Sequence, residues 1–204
     1  FDGRLDARDE LRSSLPPSAA PAAHPPDAAL VLAAYEAFGD RFVERLAGDF
    51  ALGLFDPARQ RLVLARDAIG IRPLYYCRIG AMFLFASEIK ALLADPRVPR
   101  GLNDEFLGDF LVGTVRSSDA STFFSAVSTL LPGHAVVLTP GQFEARRYWD
   151  FDPGRQTRLG SFPEYAEAFR HHFERAVTRR LRSAHPIAVS LSGGLDSSSI
   201  FCLA

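Results

Sequence analysis

The sequence predicts an α+β sandwich over its first 150 residues, then the opening of a parallel α/β unit after residue 160. Three observations carry this. Between Asp49 and Ala86, and again from Ala135 to Trp149, short apolar runs are joined by turn dipeptides, the mark of consecutive antiparallel hairpins. From Phe162 to Leu181, apolar residues recur at three-and-four spacing, which predicts a helix of about five turns with one apolar face. A short β-branched run, Ile187–Leu191, follows, then a Gly-Gly turn and another apolar helical run. That alternation of helix, strand and helix opens a parallel sheet.

Phe1 to Asp6 reads as a strand end and turn, because Asp2-Gly3 is a strong turn dipeptide. Asp9 to Leu15 reads as a short helix, and Ser14–Pro26, rich in Pro and Ala, as an exposed loop. Asp27 looks like the N-cap of a helix carrying Leu30, Val31, Ala34, Tyr35 and Phe38, which Gly39 stops. Phe42–Leu46 is a further helical turn. Phe50–Phe55 and Arg61–Ala65 pair across Asp56-Pro57, and Leu74–Ile79 and Met82–Ala86 pair across Gly80. Asp67–Pro73 is a loop. Glu88–Leu93 and Asp104–Leu111 read as helices, the first ended by Asp95-Pro96. Pro140-Gly141 turns Ala135–Leu138 into Phe143–Trp149. Asp150–Gly160 lacks apolar periodicity and reads as a linker between units at 1–150 and 161–204. Ser161 and Glu164 form a capping box for the long helix.

Composition sets limits. A chain of 204 residues, 48% apolar, has room for one large domain or one and a half. A net charge of −1 leaves no nucleic-acid footprint, and neither a membrane-length apolar run nor a signal peptide is visible. Cys77 and Cys202, far apart, suggest no disulfide framework; each reads as a small buried residue in a reducing cytoplasm. His24, His134, His171, His172 and His185 show no metal-ligand pattern. Arg66-Asp67 reads as a structural ion pair or turn support. Both ends read as cut, Phe1 inside a strand or turn and Ala204 inside a helical run, so a fragment is expected.

The most specific stretch is Ser192-Gly193-Gly194-Leu195-Asp196-Ser197-Ser198. Glycines permit the turn, and the N–H groups and dipole of a helix N-terminus favour an anion there. Ser192, Ser197 and Ser198 add hydroxyl donors. The string resembles the pyrophosphate-gripping loop of ATP pyrophosphatases; lacking Gly-Lys-Ser/Thr, it is no Walker loop.

In order along the chain stand Arg66-Asp67, Gly70, Arg72-Pro73-Leu74-Tyr75-Tyr76, Ala86–Leu92, Leu131-Pro132-Gly133-His134, Tyr148-Trp149 and Ser192–Ser198. Together they resemble glutamine-hydrolysing asparagine synthetase and its relatives over almost the whole chain. The resemblance implies a four-layer αββα glutaminase domain of the N-terminal-nucleophile class, followed by the beginning of an α/β adenine-nucleotide α-hydrolase-like domain. It implies ammonia released from glutamine by an N-terminal Cys, and a carboxylate, that of aspartate, adenylated with ATP and Mg²⁺. Ser192, Gly193, Gly194, Asp196 and Ser197 would then cradle pyrophosphate, Leu191 would lie beside the nucleotide, and Asp196 would help hold Mg²⁺. The family's nucleophilic Cys has no counterpart here, since neither Cys77 nor Cys202 fits its place.

The family's Asn-Gly-Glu turn of the glutamine site matches Asp2-Gly3-Arg4, where Arg4 would repel the substrate's α-ammonium group. Asp27 matches the acid that helps bind that amino group, a reading that stands beside its N-cap reading. Relatives that close β-lactam or lasso-peptide macrolactam rings use an internal amine, and the altered turn favours them. A third reading is a degenerate glutaminase-like module serving as scaffold. The sequence leaves the acyl substrate, the amine source and the oligomeric state open, a homodimer among the options.

Overall fold

The computed structural model describes residues 1–19, 21, 24–114 and 119–204, so positions 20, 22 and 23 of the Ser14–Pro26 loop lie outside the described residues. The chain divides into two compact units, Phe1–Asp150 and Phe151–Ala204.

In the first unit the strands are β1 (Asp2–Leu5), β2 (Gly48–Asp56), β3 (Arg61–Arg66), β4 (Tyr75–Ile79), β5 (Met82–Ala86), β6 (Ser128–Thr129), β7 (His134–Thr139) and β8 (Gln142–Arg147). Its helices are α1 (Arg8–Ser14), α2 (Asp27–Phe38), α3 (Ile89–Leu93) and α4 (Asp104–Val112), with a 3₁₀ turn at Gly39–Arg45. Two antiparallel sheets form, in the orders β1-β2-β3-β7-β8 and β5-β4-β6. The strand end expected at Phe1–Asp6 is a full edge strand, with Asp2 opposite Ala51 and Leu5 opposite Gly48.

Period-two alternation sends each strand's side chains into different cores. Phe50, Leu52, Val63, Ala65 and Ala135 pack under α1, α2 and the 3₁₀ turn with Leu11, Leu30, Val31, Ala34 and Phe42. Their neighbours Ala51, Leu64 and Val136 face the other way, onto Leu74, Leu130 and the rings of Tyr76, Phe83 and Phe143. Tyr76 in turn alternates with Cys77, which packs with Leu92, Val98 and Val127 beyond the smaller sheet. Three cores therefore separate helices, sheet, sheet and helix, and the unit is the four-layer αββα sandwich. Each large apolar side chain fully buried in these layers contributes about 1.5–3 kcal/mol.

One loop joins the sheets and is pinned by two adjacent residues of opposite charge. Arg66 donates from Nε to Arg72 O (2.7 Å), from Nη2 to Gly70 O (2.7 Å) and from Nη1 to Leu130 O (2.8 Å). Asp67, fully buried, accepts from Ile71 N–H on Oδ1 (2.9 Å) and from Arg72 N–H (2.9 Å) and Phe50 N–H (3.3 Å) on Oδ2. A guanidinium thus takes the loop's carbonyls and a carboxylate takes its amides. The pair supports the turn as expected, through the backbone rather than through each other. Burial pushes the Arg66 guanidinium down from its ordinary value. Tyr148, whose hydroxyl donates to Arg66 O (2.7 Å), is pushed up by burial and by the nearby Asp67 carboxylate.

The second unit holds α5 (Phe162–Arg180) and α6 (Leu195–Leu203). Ser161 is the N-cap of α5, but its hydroxyl donates to Glu164 Oε1 (3.0 Å) while Gly160 N–H donates to Oε2 (3.0 Å). The expected capping box is therefore replaced by a carboxylate clamp one residue upstream, because the hydroxyl is spent as a donor. Ile187–Leu191 is not a strand: no described segment forms a ladder with it, and a parallel strand exists only through its neighbours. With α5 and Ile200 it lines an apolar cleft of about 480 Å³ at Phe173, Val177, Leu181 and Val189. Cys202 is exposed on α6 rather than buried, whereas Cys77 is buried and its thiol is pushed up by burial.

Candidate functional site

The sequence names two groups of residues, and each forms a neighbourhood within its own unit.

The first lies around β1. Gly3, at φ +146°, pairs with Phe50 so closely that a Cβ there would stand 2.1 Å from Asp49 O. Its glycine is required by this approach of two backbones, whatever ligand the turn serves. Asp27 is not an N-cap: Pro26 holds that position and Asp27 is the first residue of α2. Its carboxylate reaches sideways instead, accepting Leu5 N–H of β1 on Oδ2 (2.8 Å) and Arg8 Nη1 on Oδ1. Arg8 also donates from Nη2 to Pro25 O. Both side chains are largely buried, 19% and 10% exposed.

Arg4 pairs with Asp6, Nε to Oδ1 at 3.0 Å, two residues along the chain. Asp2, half exposed, has Arg72 Nη1 at 3.7 Å and Ser87 Oγ at 3.5 Å. The loop pinned by Arg66 and Asp67 is what carries Arg72 to this edge. Asp2, Asp6 and Asp27 thus each face an arginine: Arg72, Arg4 and Arg8. Sequence reasoning named Asp2, Gly3, Arg4 and Asp27, held Arg72 only as part of a family motif, and did not single out Arg8. Arg8 stands 19 residues from Asp27, and no local pattern joins them.

The second group is the Ser192–Ser198 loop. Gly193 adopts φ +79°, the left-handed turn that glycine permits. Ser192 N–H donates to Ser197 Oγ (3.2 Å), the two hydroxyls lie 3.0 Å apart, and Gly194 N–H donates to Ser192 Oγ (3.4 Å). The serines tie the turn to the first turn of α6. Gly194 is the N-cap, and its carbonyl accepts Ser198 N–H at 3.2 Å. The N–H groups of Leu195, Asp196 and Ser197 therefore lie in the first turn, where a helix has no carbonyl to offer them. They fit an anion there. Asp196 has no hydrogen-bond or ion-pair partner among the described residues, and those residues contain no cluster of three metal-ligating side chains. One carboxylate beside an anion-fitting helix end suits Mg²⁺, which binds through few protein ligands, with phosphates and water completing its shell. Leu191, half exposed, immediately precedes this loop.

A cleft of about 530 Å³ opens between the hairpin tips at Phe55, Met82 and Leu138, and holds none of these residues. Phe55, which lines that cleft, stands four residues along β2 from Ala51, the partner of Asp2, a separation of about 13 Å along the strand.

The first unit is thus a four-layer αββα sandwich, and the second carries a serine-glycine turn on a helix N-terminus. The chain matches the glutamine amidotransferase domain family over residues 1–149 and the asparagine synthase family over residues 168–204, and it belongs to the glutamine amidotransferase domain family. It is 33% identical over its whole length to asparagine synthetase [glutamine-hydrolyzing] 3 of Bacillus subtilis, covering 33% of that protein. It is 38% identical over 85% of its length to amidase chry2 of Gibberella zeae, covering 26% of that protein. It thus spans a third or less of the length of these relatives. A B. subtilis glutamine phosphoribosylpyrophosphate amidotransferase structure aligns at TM-score 0.48 and 16% identity, over 72% of this chain and 28% of that one. Among the described residues no helix is long and apolar enough to cross a membrane.

Proposed function

We propose that the whole protein, in the cytoplasm, activates a carboxylate with ATP and converts it into an amide, as an asparagine synthase does with aspartate. The observation that carries this is the Ser192–Ser197 turn, knitted by hydroxyls and set on the N-terminus of α6. One carboxylate oxygen bonds to the α-phosphorus of ATP and pyrophosphate leaves; nitrogen then adds to the acyl carbon and AMP leaves. The N–H groups of Leu195, Asp196 and Ser197, with the hydroxyls of Ser192 and Ser197, hold the departing pyrophosphate. Gly193 and Gly194 let it approach the backbone, and Leu191 lies beside the nucleotide. Mg²⁺, held through Asp196, would neutralise part of the pyrophosphate charge.

The test is pyrophosphate release by the whole protein against Mg²⁺ concentration, with Asp196→Ala. As a first-turn acid Asp196 contributes only about 0.3–1 kcal/mol to the helix. As a metal ligand its loss costs on the order of 3 kcal/mol in the transition state, at least about a hundredfold in rate. Near-normal release with a lowered melting point would remove Asp196 from the metal site.

The electrostatics of the β1 site favour a second reading of the nitrogen source. Asp2, Asp6 and Asp27 already face arginines. A site so compensated suits an internal amine better than glutamine, as in ring-closing relatives. Assaying product with glutamine, with an ammonium salt and with neither separates the two sources.

A further inference from the structure

We propose that Arg8 determines amine specificity at the β1 site: its guanidinium stands on Asp27 as a built-in substitute for the α-ammonium of a free amino acid and keeps glutamine out. This rests on reading Asp27 as the amine-receiving acid of a glutaminase-type site.

The placement of Arg8 is otherwise hard to explain. It is the first residue of α1, following the N-cap Ala7, where the helix dipole disfavours a cation. Yet its Cα is fixed there, because Leu11 and Leu15 anchor α1 in the helix-side core. From that point the guanidinium spans to two acceptors, Asp27 Oδ1 and Pro25 O. A planar, always-charged fork suits this two-point contact in a way an ammonium group does not. Asp27 does not need Arg8 to be held in place. It sits at the first position of α2, where the dipole favours a carboxylate, and it also accepts Leu5 N–H.

An ammonium group arriving from solution must displace a partner that is already tethered and pays no translational entropy. Both side chains are largely withdrawn from water, so the exchange also exposes a charge to a poorly solvated site. The cation at issue is thus not the one adjacent to Gly3: Arg4 is engaged with Asp6, and Arg8 holds the acid.

The test is calorimetric titration of the whole protein with L-glutamine, for the wild type, Arg8→Ala, Arg8→Gln, and Arg8→Ala combined with Asp27→Asn, each checked by a thermal melt. Arg8→Gln keeps most of the side-chain volume, so it carries the test if Arg8→Ala does not fold. The expected result is glutamine binding at least about tenfold tighter without the Arg8 charge, the scale of a charge-assisted hydrogen bond. The gain should vanish when Asp27 is also neutralised. Equal binding by wild type and Arg8→Gln overturns the role of Arg8 and leaves the glutamine site standing. Folded variants that bind no better than a wild type that does not bind overturn the glutamine reading of Asp27 itself. Wild-type saturation with a Kd of about 1 mM or below, an ordinary substrate range, overturns the proposal without any variant.

Discussion

Replacing Asp67 with Asn should destabilise the sandwich far more than an isosteric change suggests. The Asp67 carboxylate is fully buried and accepts three backbone N–H groups, from Ile71, Arg72 and Phe50. An amide has one oxygen. Turned toward Ile71, it aims its NH₂ at the donors of Arg72 and Phe50; turned the other way, it abandons Ile71. An N–H left without an acceptor costs about 1–3 kcal/mol where it is buried, as at Phe50, and less at the part-buried Ile71 and Arg72, and the surviving bonds lose their charge assistance. The sum is about 3–5 kcal/mol against a domain stability of about 5–15 kcal/mol. At about 2–4 °C per kcal/mol for a unit of this size, the melting temperature should fall by about 6–20 °C. Circular dichroism melts of the 204-residue chain measure the shift, and amide hydrogen exchange localises it. Ile71 and Arg72 amides should lose protection before the strand amides of β2 and β3. A melt within about 2 °C of wild type, with those two amides still protected, would refute the view that this one carboxylate holds the loop between the sheets.

The remaining predictions concern β1, acid stability and the division of the chain. Gly3→Ala should cost more than about 3 kcal/mol in urea denaturation, because its Cβ meets backbone that cannot yield; a loss under about 1 kcal/mol would show that β1 can shift freely. Hydrogen bonds from the Tyr35 hydroxyl, then from the Arg59 side chain and amide, hold the Asp56 carboxyl at about 2 against an ordinary 3.8. Its contribution to stability is therefore complete above pH 3.8 and is lost as pH falls through about 2. Tyr35→Phe should flatten that acid slope in urea midpoints measured across this window, and an unchanged slope would count against the bond. We propose a linker at residues 150–160, where Arg155 and Arg158 are exposed. Brief trypsin digestion should cut there or near the Ser14–Pro26 loop first; early cutting between Phe50 and Ala86 with the linker spared would argue against it.

What the sequence determined by itself was local and periodic. Alternation in Phe50–Phe55, Arg61–Ala65 and Ala135–Leu138 marked strands with two usable faces, and three-and-four spacing marked α2 and α5. Punctuation by Gly39, Gly80 and Pro140-Gly141 placed the turns. The Ser192–Ser198 turn was legible because a glycine turn on a helix N-terminus is built from consecutive residues. Tertiary structure decided what depends on partners distant along the chain. It turned Asp27 from a cap into a cross-link between α2 and β1, since capping needs only a neighbour's N–H whereas this carboxylate found Leu5 and Arg8 across the fold. It made Arg66-Asp67 a backbone clamp rather than an ion pair, because loop amides and carbonyls partly withdrawn from water need partners more than two flanking charges need each other. It left Ile187–Leu191 without a ladder, because a β-branched run specifies the wish to pair and only a neighbouring strand supplies the bonds. Patterns within one turn or one strand are written in the residues that form them; a contact between Arg8 and Asp27 is written only in the path of the chain between them.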